Sequence, residues 1–254
     1  MGKVIAVASG KGGTGKTTTV AAVSSCLAAL GYKTLCVDFD AELRNLDLAL
    51  CMTDYAVADF MDVLSGRMEL MEACFESPKI RNLFFLSAPQ FSGWDEPEAG
   101  ALTQMFDDVR NEFDYCLIDA PSGIGTGFEF AQMLSDLTII VTTGEVPAMR
   151  DAQRAAEAAR DLGVSDTLLL VNRVLPGTYR RMRITVDSVI DTVGARLLGI
   201  VREDDSVAMS LHENTPLILY KRKHAAYDFL DAARRLSGEY IPLQWTLSQI
   251  LFRK

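Results

Sequence analysis

A glycine-rich segment near the N-terminus restricts the possible folds of this chain more than any other feature. The run GKGGTGKT (10–17) fits the pattern G-x-x-x-x-G-K-[ST]. The nearly all-apolar run KVIAVA (3–8) precedes it and has the composition of a parallel strand that is buried on both faces. Apolar residues then recur at helical spacing until Gly31, a residue type that commonly follows a helix end. This order of strand, glycine loop and helix predicts a phosphate-binding loop.

The loop also predicts which of its atoms contact a ligand. Its glycines let backbone N–H groups curl around phosphates, and the helix N-terminus adds partial positive charge. We expect Lys16 to reach the β- and γ-phosphates and the Thr17 hydroxyl to bind Mg²⁺. The predicted nucleotide-binding residues of this segment are Gly10, Lys11, Gly12, Gly13, Thr14, Gly15, Lys16, Thr17 and Thr18.

Apolar runs along the rest of the chain predict one sheet. Helical periods separate most of these runs, and no linker, repeat or low-complexity segment interrupts them. The runs lie at 33–40, 83–88, 115–121, 137–143, 167–172 and 196–201. We therefore predict an α/β fold of the P-loop NTPase kind, a single doubly wound domain over 1–239. Its sheet is mostly parallel, with helices on both faces.

Acidic residues end two of the predicted strands, where a doubly wound sheet places its ligand-binding side chains. Asp119 follows the run YCLI, at the position of a Walker-B aspartate that holds Mg²⁺. Asp38 and Asp40 are two residues apart at the end of the 33–40 run and point the same way if the strand is extended. Two neighbouring carboxylates are better suited to binding a metal ion and positioning water than to packing in an apolar core.

Charge and cysteine content limit which cellular compartments and which partners we expect for this protein. The net charge of −9 disfavours a general affinity for nucleic acid, although Arg173, Arg180, Arg181 and Arg183 form a local basic cluster of the kind usual on solvated faces. The five cysteines contain no C-x-x-C pair and are expected to be reduced and buried. The chain has no basic and apolar leader and no run of eighteen apolar residues, so we expect a cytoplasmic protein.

Several segments resemble the deviant Walker A ATPases of the ParA/MinD family, and the MinD branch in particular. The resemblance covers roughly residues 3 to 236. The segments that carry it are SGKGGTGKTT with lysine after the first glycine, DFDAELRNLDL (38–48), DYCLIDAPSGIGTG (114–127), EVPAMRDAQR (145–154) and GIVREDDSV (199–207).

The resemblance implies a dimer that encloses two ATP molecules, with Lys11 reaching across the interface to phosphates bound by the partner subunit. Lys11, Lys16 and Asp40 are then the catalytic residues, and Asp40 orients the attacking water. By the same resemblance, Asp38 supports Mg²⁺ and Lys16. The metal-binding set is Thr17, Asp38 and Asp119.

Four further residues take roles from the resemblance. It places Glu145 near the dimer interface and Asp151 in communication with activating partners. Asn172 is expected to contact adenine, and Arg202 belongs to the adenine loop. Two positions depart from the family pattern, because Glu42 replaces a common glycine and Arg202 a common proline. No N-K-x-D guanine motif is visible, which favours ATP over GTP.

Three classes of function fit these features. The first is a MinD-type ATPase switch, slow alone and stimulated by a partner, that positions the cell-division site and works with a MinC-like inhibitor and a MinE-like activator. The second is a ParA-type partitioning ATPase acting on DNA, which the acidic charge disfavours. The third is a metabolic or cofactor-assembly enzyme on the same fold. A flagellar-number regulator of similar sequence is a further alternative.

The tail YIPLQWTLSQILFRK (240–254) predicts a reversible membrane anchor. From Pro242, apolar residues recur at helical spacing through Leu251, and twelve helical residues extend about 18 Å, enough to lie in a membrane interface. Only Arg253 and Lys254 add positive charge. We expect 241–254 to bind the anionic inner face of the cell membrane, making the protein peripheral there. The alternative is a helix packed on its own domain or on a partner.

Overall fold

The computed structural model describes residues 1–41, 43–53, 58–89, 99–220 and 224–243. The strands in these ranges are β1 (Lys3–Ala8), β2 (Thr34–Asp38), β3 (Phe75–Glu76), β4 (Leu83–Leu86), β5 (Tyr115–Asp119), β6 (Leu137–Thr142), β7 (Thr167–Val174) and β8 (Arg196–Arg202). The helices are α1 (Lys16–Ala29), α2 (Leu46–Leu50), α3 (Phe60–Leu64), α4 (Leu70–Ala73), α5 (Ala99–Glu112), α6 (Thr126–Met133), α7 (Val146–Asp161), α8 (Pro176–Met182), α9 (Val186–Val193), α10 (Ser206–His212) and α11 (His224–Leu236).

All of these strands belong to one sheet, in the order β3-β4-β2-β5-β1-β6-β7-β8. Every neighbouring pair is parallel except β3 and β4. The phosphate-binding loop follows β1, and the predicted acids follow β2 and β5. The order β2-β5-β1 therefore brings the carboxyl ends of these three strands together at one edge of the sheet.

Side chains of the central strand alternate between two apolar cores, one on each face of the sheet. Val4 and Ala6 of β1 pack into a core that contains residues of α5, α7 and α9. Ile5 and Val7 pack into the other, which contains residues of α1 and α11. A strand buried on both faces needs an unbroken apolar run, which is what 3–8 provides. The prediction of a doubly wound sheet with helices on both faces is confirmed.

Strand positions predicted from the sequence differ from the observed ones by a few residues. The largest differences are at the C-terminal ends, since β2 ends at Asp38 and not at residue 40, while β7 continues to Val174. The sequence did not predict β3, a strand of only two residues that pairs antiparallel to β4. Its pairing depends on a partner strand rather than on any local pattern.

The cysteines behave as expected, because all five are buried and none forms a disulfide. Burial raises the pKa of the Cys26 and Cys36 thiols to about 12, which makes both inert as nucleophiles. Within the described ranges, no helix combines the length and the apolar character needed to cross a membrane. Residues 244–254, which hold most of the predicted anchor, lie outside the described residues, as does Glu42.

Candidate active site

Two positions of the phosphate loop favour glycine because other parts of the chain pack closely against them. A Cβ on Gly10 would lie 2.1 Å from the carbonyl oxygen of Asp151, and one on Gly15 would lie 2.2 Å from Nδ2 of Asn172. Gly15 also has φ of 92° and Gly13 has φ of 82°, in the left-handed region that favours glycine. The loop is therefore held between the start of α7 and the end of β7. The loop ends at Gly15, and α1 begins at Lys16.

Lys16 and Asp119 form a buried ion pair at the start of α1. The Lys16 Nζ lies 2.9 Å from Oδ1 of Asp119, and the two side chains are 8% and 1% exposed. The Thr17 hydroxyl lies close enough to Asp119 to lower the pKa of its carboxyl. Burial raises the pKa of Asp119, while the Lys16 ammonium and the Thr17 hydroxyl act in the opposite direction. The structure thus places the predicted lysine in direct contact with the Walker-B acid, with the Thr17 hydroxyl nearby.

Asp38 lies beside this cluster because its Cα is the direct partner of Asp119 in the β2–β5 pairing. Its carboxylate accepts hydrogen bonds from the backbone N–H groups of Asp40 and Leu46, at 2.8 and 3.3 Å. Burial and the negative charge of Asp119 raise the pKa of Asp38 to about 7, against those two hydrogen bonds. The Asp40 carboxylate accepts from the Leu43 N–H at 3.1 Å. Both predicted acids therefore lie near Asp119, although Asp40 follows the strand rather than ending it.

The raised pKa of Asp38 predicts a pH-dependent stability of the nucleotide-free protein. With a folded pKa of about 7 and an unfolded value of 3.8, the folded state binds more protons between these limits, so stability falls as pH rises through 7. One such proton changes the unfolding free energy by at most about 1.4 kcal/mol per pH unit. We expect the melting temperature to fall between pH 5 and 7, and Asp38→Asn to reduce this slope. An equal slope in the variant would assign the effect to another group.

The residues present fit a magnesium ion bound together with a nucleotide. In the described part of the chain, no three His, Cys, Asp or Glu side chains cluster to hold a metal by themselves. Mg²⁺ in nucleotide sites is usually held by one or two carboxylates together with phosphate oxygens. Asp119 and the Thr17 hydroxyl offer such a partial set, next to Lys16. The hydroxyl of Thr14, buried without a hydrogen-bond partner among the described residues, adds a donor for a phosphate oxygen.

Lys11 has a different environment from Lys16. Its side chain is 48% exposed, and its Nζ lies 4.0 Å from Oε2 of Glu145, itself 67% exposed. Such an exposed contact contributes little to stability and leaves the ammonium free to move. Gly12, next in sequence, has no atom within 4 Å of an added Cβ, so nothing in the described part of this chain excludes a side chain there. The first lysine therefore lies on an open surface of the loop.

A cavity of about 400 Å³ continues from the phosphate loop toward the β8–α10 connection. Asn172 and Arg202, both predicted to contact the nucleotide, line it, as does Thr18. The Asn172 amide donates to the Thr14 carbonyl oxygen at 2.9 Å and accepts from the Arg173 N–H, so part of its capacity is already used. The Arg202 guanidinium binds the Asp228 carboxylate at 2.6 and 2.7 Å. A base contact by either side chain stays a prediction.

Two other residues of this cavity, Arg173 and Glu203, have no predicted role from the sequence. In the sequence, Arg173 belongs to a basic cluster of the kind usual on solvated faces, although it directly follows Asn172 at the end of a predicted strand. Glu203 lies in the segment GIVREDDSV, which carried the family resemblance without a role for this acid. Their ion pair, with Nε and Oε2 2.7 Å apart, depends on the pairing of β7 with β8 and has no local sequence signal.

Known proteins resemble this chain along most of its length. The family described as an AAA domain matches residues 2–162. The septum site-determining protein MinD of Synechocystis sp. is 35% identical over 244 residues, which cover 95% of this chain and 92% of the relative. The solved MinC:MinD cell division protein complex of Aquifex aeolicus has a TM-score of 0.89 at 32% identity, covering 96% of this chain and 98% of that one. Pyrococcus horikoshii MinD complexed with Mg-ADP has a TM-score of 0.80 at 27% identity, with 93% and 96% covered.

Proposed function

Because this chain belongs to the MinD family of septum site-determining ATPases, we propose that its ATP-bound form dimerises, attaches to the inner face of the cell membrane and there positions the division site. ATP and Mg²⁺ are the ligands of the site. The observation that carries the proposal is the contact of Lys16 with Asp119 beneath the glycine loop, at the edge of the sheet where Asp38 and Asp40 also lie. Hydrolysis is slow in the isolated protein and is stimulated by a partner.

Each polar group of the site has a role in phosphoryl transfer to water. Lys16 exchanges its contact with Asp119 for the β- and γ-phosphates, and Asp40 orients the attacking water. Asp119 and Thr17 would hold Mg²⁺, and Asp38 would support both the ion and Lys16. When bound, Mg²⁺ neutralises charge on the phosphates. The protein thus contributes mainly positioning and electrostatic stabilisation.

Dimerisation completes this site through Lys11. The outward position of its side chain and the open surface at Gly12 support an approach of a second subunit to the loop. A lysine supplied across the interface adds positive charge to the reacting phosphate only when the dimer exists, as an arginine finger does. Glu145, beside Lys11, then lies close to the interface, and Asp151 lies where a partner can influence the loop through Gly10.

Membrane attachment is assigned to residues 241–254. The Arg235 guanidinium of α11 donates to the carbonyl oxygens of Ile241 and Pro242 at 2.8 and 3.1 Å, so the start of the tail is held against the domain. One short amphipathic segment binds a membrane weakly, whereas two in a dimer raise the avidity without any new contact. ATP therefore controls attachment through the assembly state.

The partners proposed for the membrane-bound dimer are a MinC-like inhibitor and a MinE-like activator. The solved relative from Aquifex aeolicus is in complex with MinC, which supports the first. The second follows from the family resemblance.

Co-sedimentation separates this function from a role on DNA. The protein is mixed with anionic liposomes or with duplex DNA, each in the presence of Mg²⁺ and either ATP or ADP. Sedimentation with liposomes only in ATP supports the proposal. Sedimentation with DNA only in ATP would instead support a partitioning ATPase.

Removing residues 244–254 is expected to abolish the ATP-dependent sedimentation with liposomes. This truncation keeps Ile241 and Pro242, so their contacts with Arg235 are preserved and the domain stays intact. ATP affinity and ATP-dependent dimerisation should stay within about twofold of the full chain, because the segment is proposed to act only on the membrane. Loss of solubility or of nucleotide binding would show that the segment packs on the domain.

A further inference from the structure

Arg173 lies in a β-bulge next to the active site. Between the pairs Val171 with Ile200 and Val174 with Arg202, two residues of β7 stand opposite one residue of β8. Arg173 has φ of 57°, a left-handed conformation that costs a non-glycine residue energy. Bulges beside active sites commonly redirect a side chain. Here Asn172, which donates to the loop, and Arg173 both line the same cavity, whereas neighbours in a regular strand point to opposite faces.

The redirected guanidinium joins two walls of the nucleotide cavity. Its Nε and Nη2 donate to the two carboxylate oxygens of Glu203, at 2.7 and 3.2 Å. A third nitrogen, Nη1, lies 3.5 Å from the carbonyl oxygen of Gly13 in the phosphate loop. A two-point contact of this kind fixes the plane of a guanidinium as well as its position. The ion pair therefore presents a flat, oriented surface at the cavity.

The acidic side chains around this surface disfavour a phosphate there and suit an uncharged base. Glu203, Asp204 and Asp205 all line this end of the cavity, and they would repel phosphate oxygens. Val201, Leu211 and Phe229 contribute apolar surface to the same cavity. A purine ring is uncharged, flat and largely apolar, and arginine stacks well on such rings.

We propose that the Arg173–Glu203 ion pair is a purine-recognition wall, in which Glu203 holds the guanidinium plane of Arg173 so that it stacks on the base of the bound nucleotide. This inference rests on the proposed ATP-binding function. Arg173 determines affinity and base preference, and Glu203 is a positioning residue for Arg173. The pair leaves the chemistry at the γ-phosphate to Lys16 and Asp40.

Calorimetric titration with ATP, CTP and inorganic tripolyphosphate, each with Mg²⁺, tests the inference. Arg173→Ala is expected to weaken ATP about 5- to 30-fold, the range for a lost stacking cation, and to reduce the preference for ATP over CTP. Its affinity for tripolyphosphate should stay within about twofold, because the phosphates contact other residues. Glu203→Gln should cause a smaller loss of the same selectivity, since the guanidinium is then less firmly oriented.

Two further variants control for stability and charge. Arg173→Gly removes the side chain while relieving the left-handed strain, so its melting temperature should not fall and its ATP affinity should. Arg196→Ala breaks an exposed ion pair with Asp166 near the start of β8 and should leave every affinity unchanged.

ATP binding by Arg173→Gly within twofold of the unmodified protein overturns the inference. So does an equal loss of ATP and tripolyphosphate affinity. If the unmodified protein binds no ATP, the proposed function itself fails and the inference with it.

Discussion

Replacing Lys16 by alanine is expected to lower ATP affinity by about 100- to 1000-fold, because the β- and γ-phosphates lose their main charged side-chain donor. The variant should also be less stable without nucleotide. Lys16 is paired with the buried Asp119, and removal of one partner of a buried pair costs about 3 kcal/mol. For a chain of this size, that corresponds to about 6–12 °C in melting temperature. Titration calorimetry and thermal unfolding measure the two effects.

A second substitution separates the two effects of losing Lys16. Asp119→Asn in the Lys16→Ala background removes the unpaired carboxylate and should restore part of the melting temperature. It should not restore ATP binding, because no cation is returned to the phosphates. If Lys16→Ala alone binds ATP within tenfold of the unmodified protein, Lys16 is not the principal phosphate ligand.

Replacing Lys11 by alanine is expected to eliminate ATP-dependent dimerisation and stimulated hydrolysis while leaving much of the monomer's ATP affinity. The structure supports this separation, because the Lys11 side chain is half exposed and forms an exposed ion pair with Glu145, whereas Lys16 is buried. An exposed charge contributes about 0–1 kcal/mol, so the affinity should stay within about fivefold. Calorimetry gives the affinity, and sedimentation velocity with ATP gives the assembly state.

Asp40→Ala is the matched control for the Lys11 variant. It removes a water-positioning carboxylate without removing a phosphate ligand, so it should bind ATP and accumulate as a dimer. Its hydrolysis should be close to background. A Lys11→Ala protein that dimerises with ATP as the Asp40→Ala protein does would exclude a role for Lys11 across the interface.

The architecture followed from the sequence because its signals are local. An unbroken apolar run identifies β1 as a strand buried on both faces, and the glycine loop with helical spacing after it identifies α1. Acids at strand ends identified Asp38 and Asp119, which the sheet indeed places opposite each other. The strand β3 was missed for the converse reason, since two residues carry no periodicity and its pairing with β4 supplies the only constraint.

The sequence by itself determined the class of the fold, the phosphate loop and the identity of the acids around it, because each depends on residues close together in the chain. Only the tertiary structure decided how distant side chains meet. Lys16 contacts Asp119 across 103 positions, and the Asn172 amide reaches the Thr14 carbonyl across 158. The tertiary structure likewise decided that Arg173, in the β-bulge of β7, forms an ion pair with Glu203. Such contacts form because strand pairing and core burial place two remote backbones together, and no short-range preference of either residue encodes its partner.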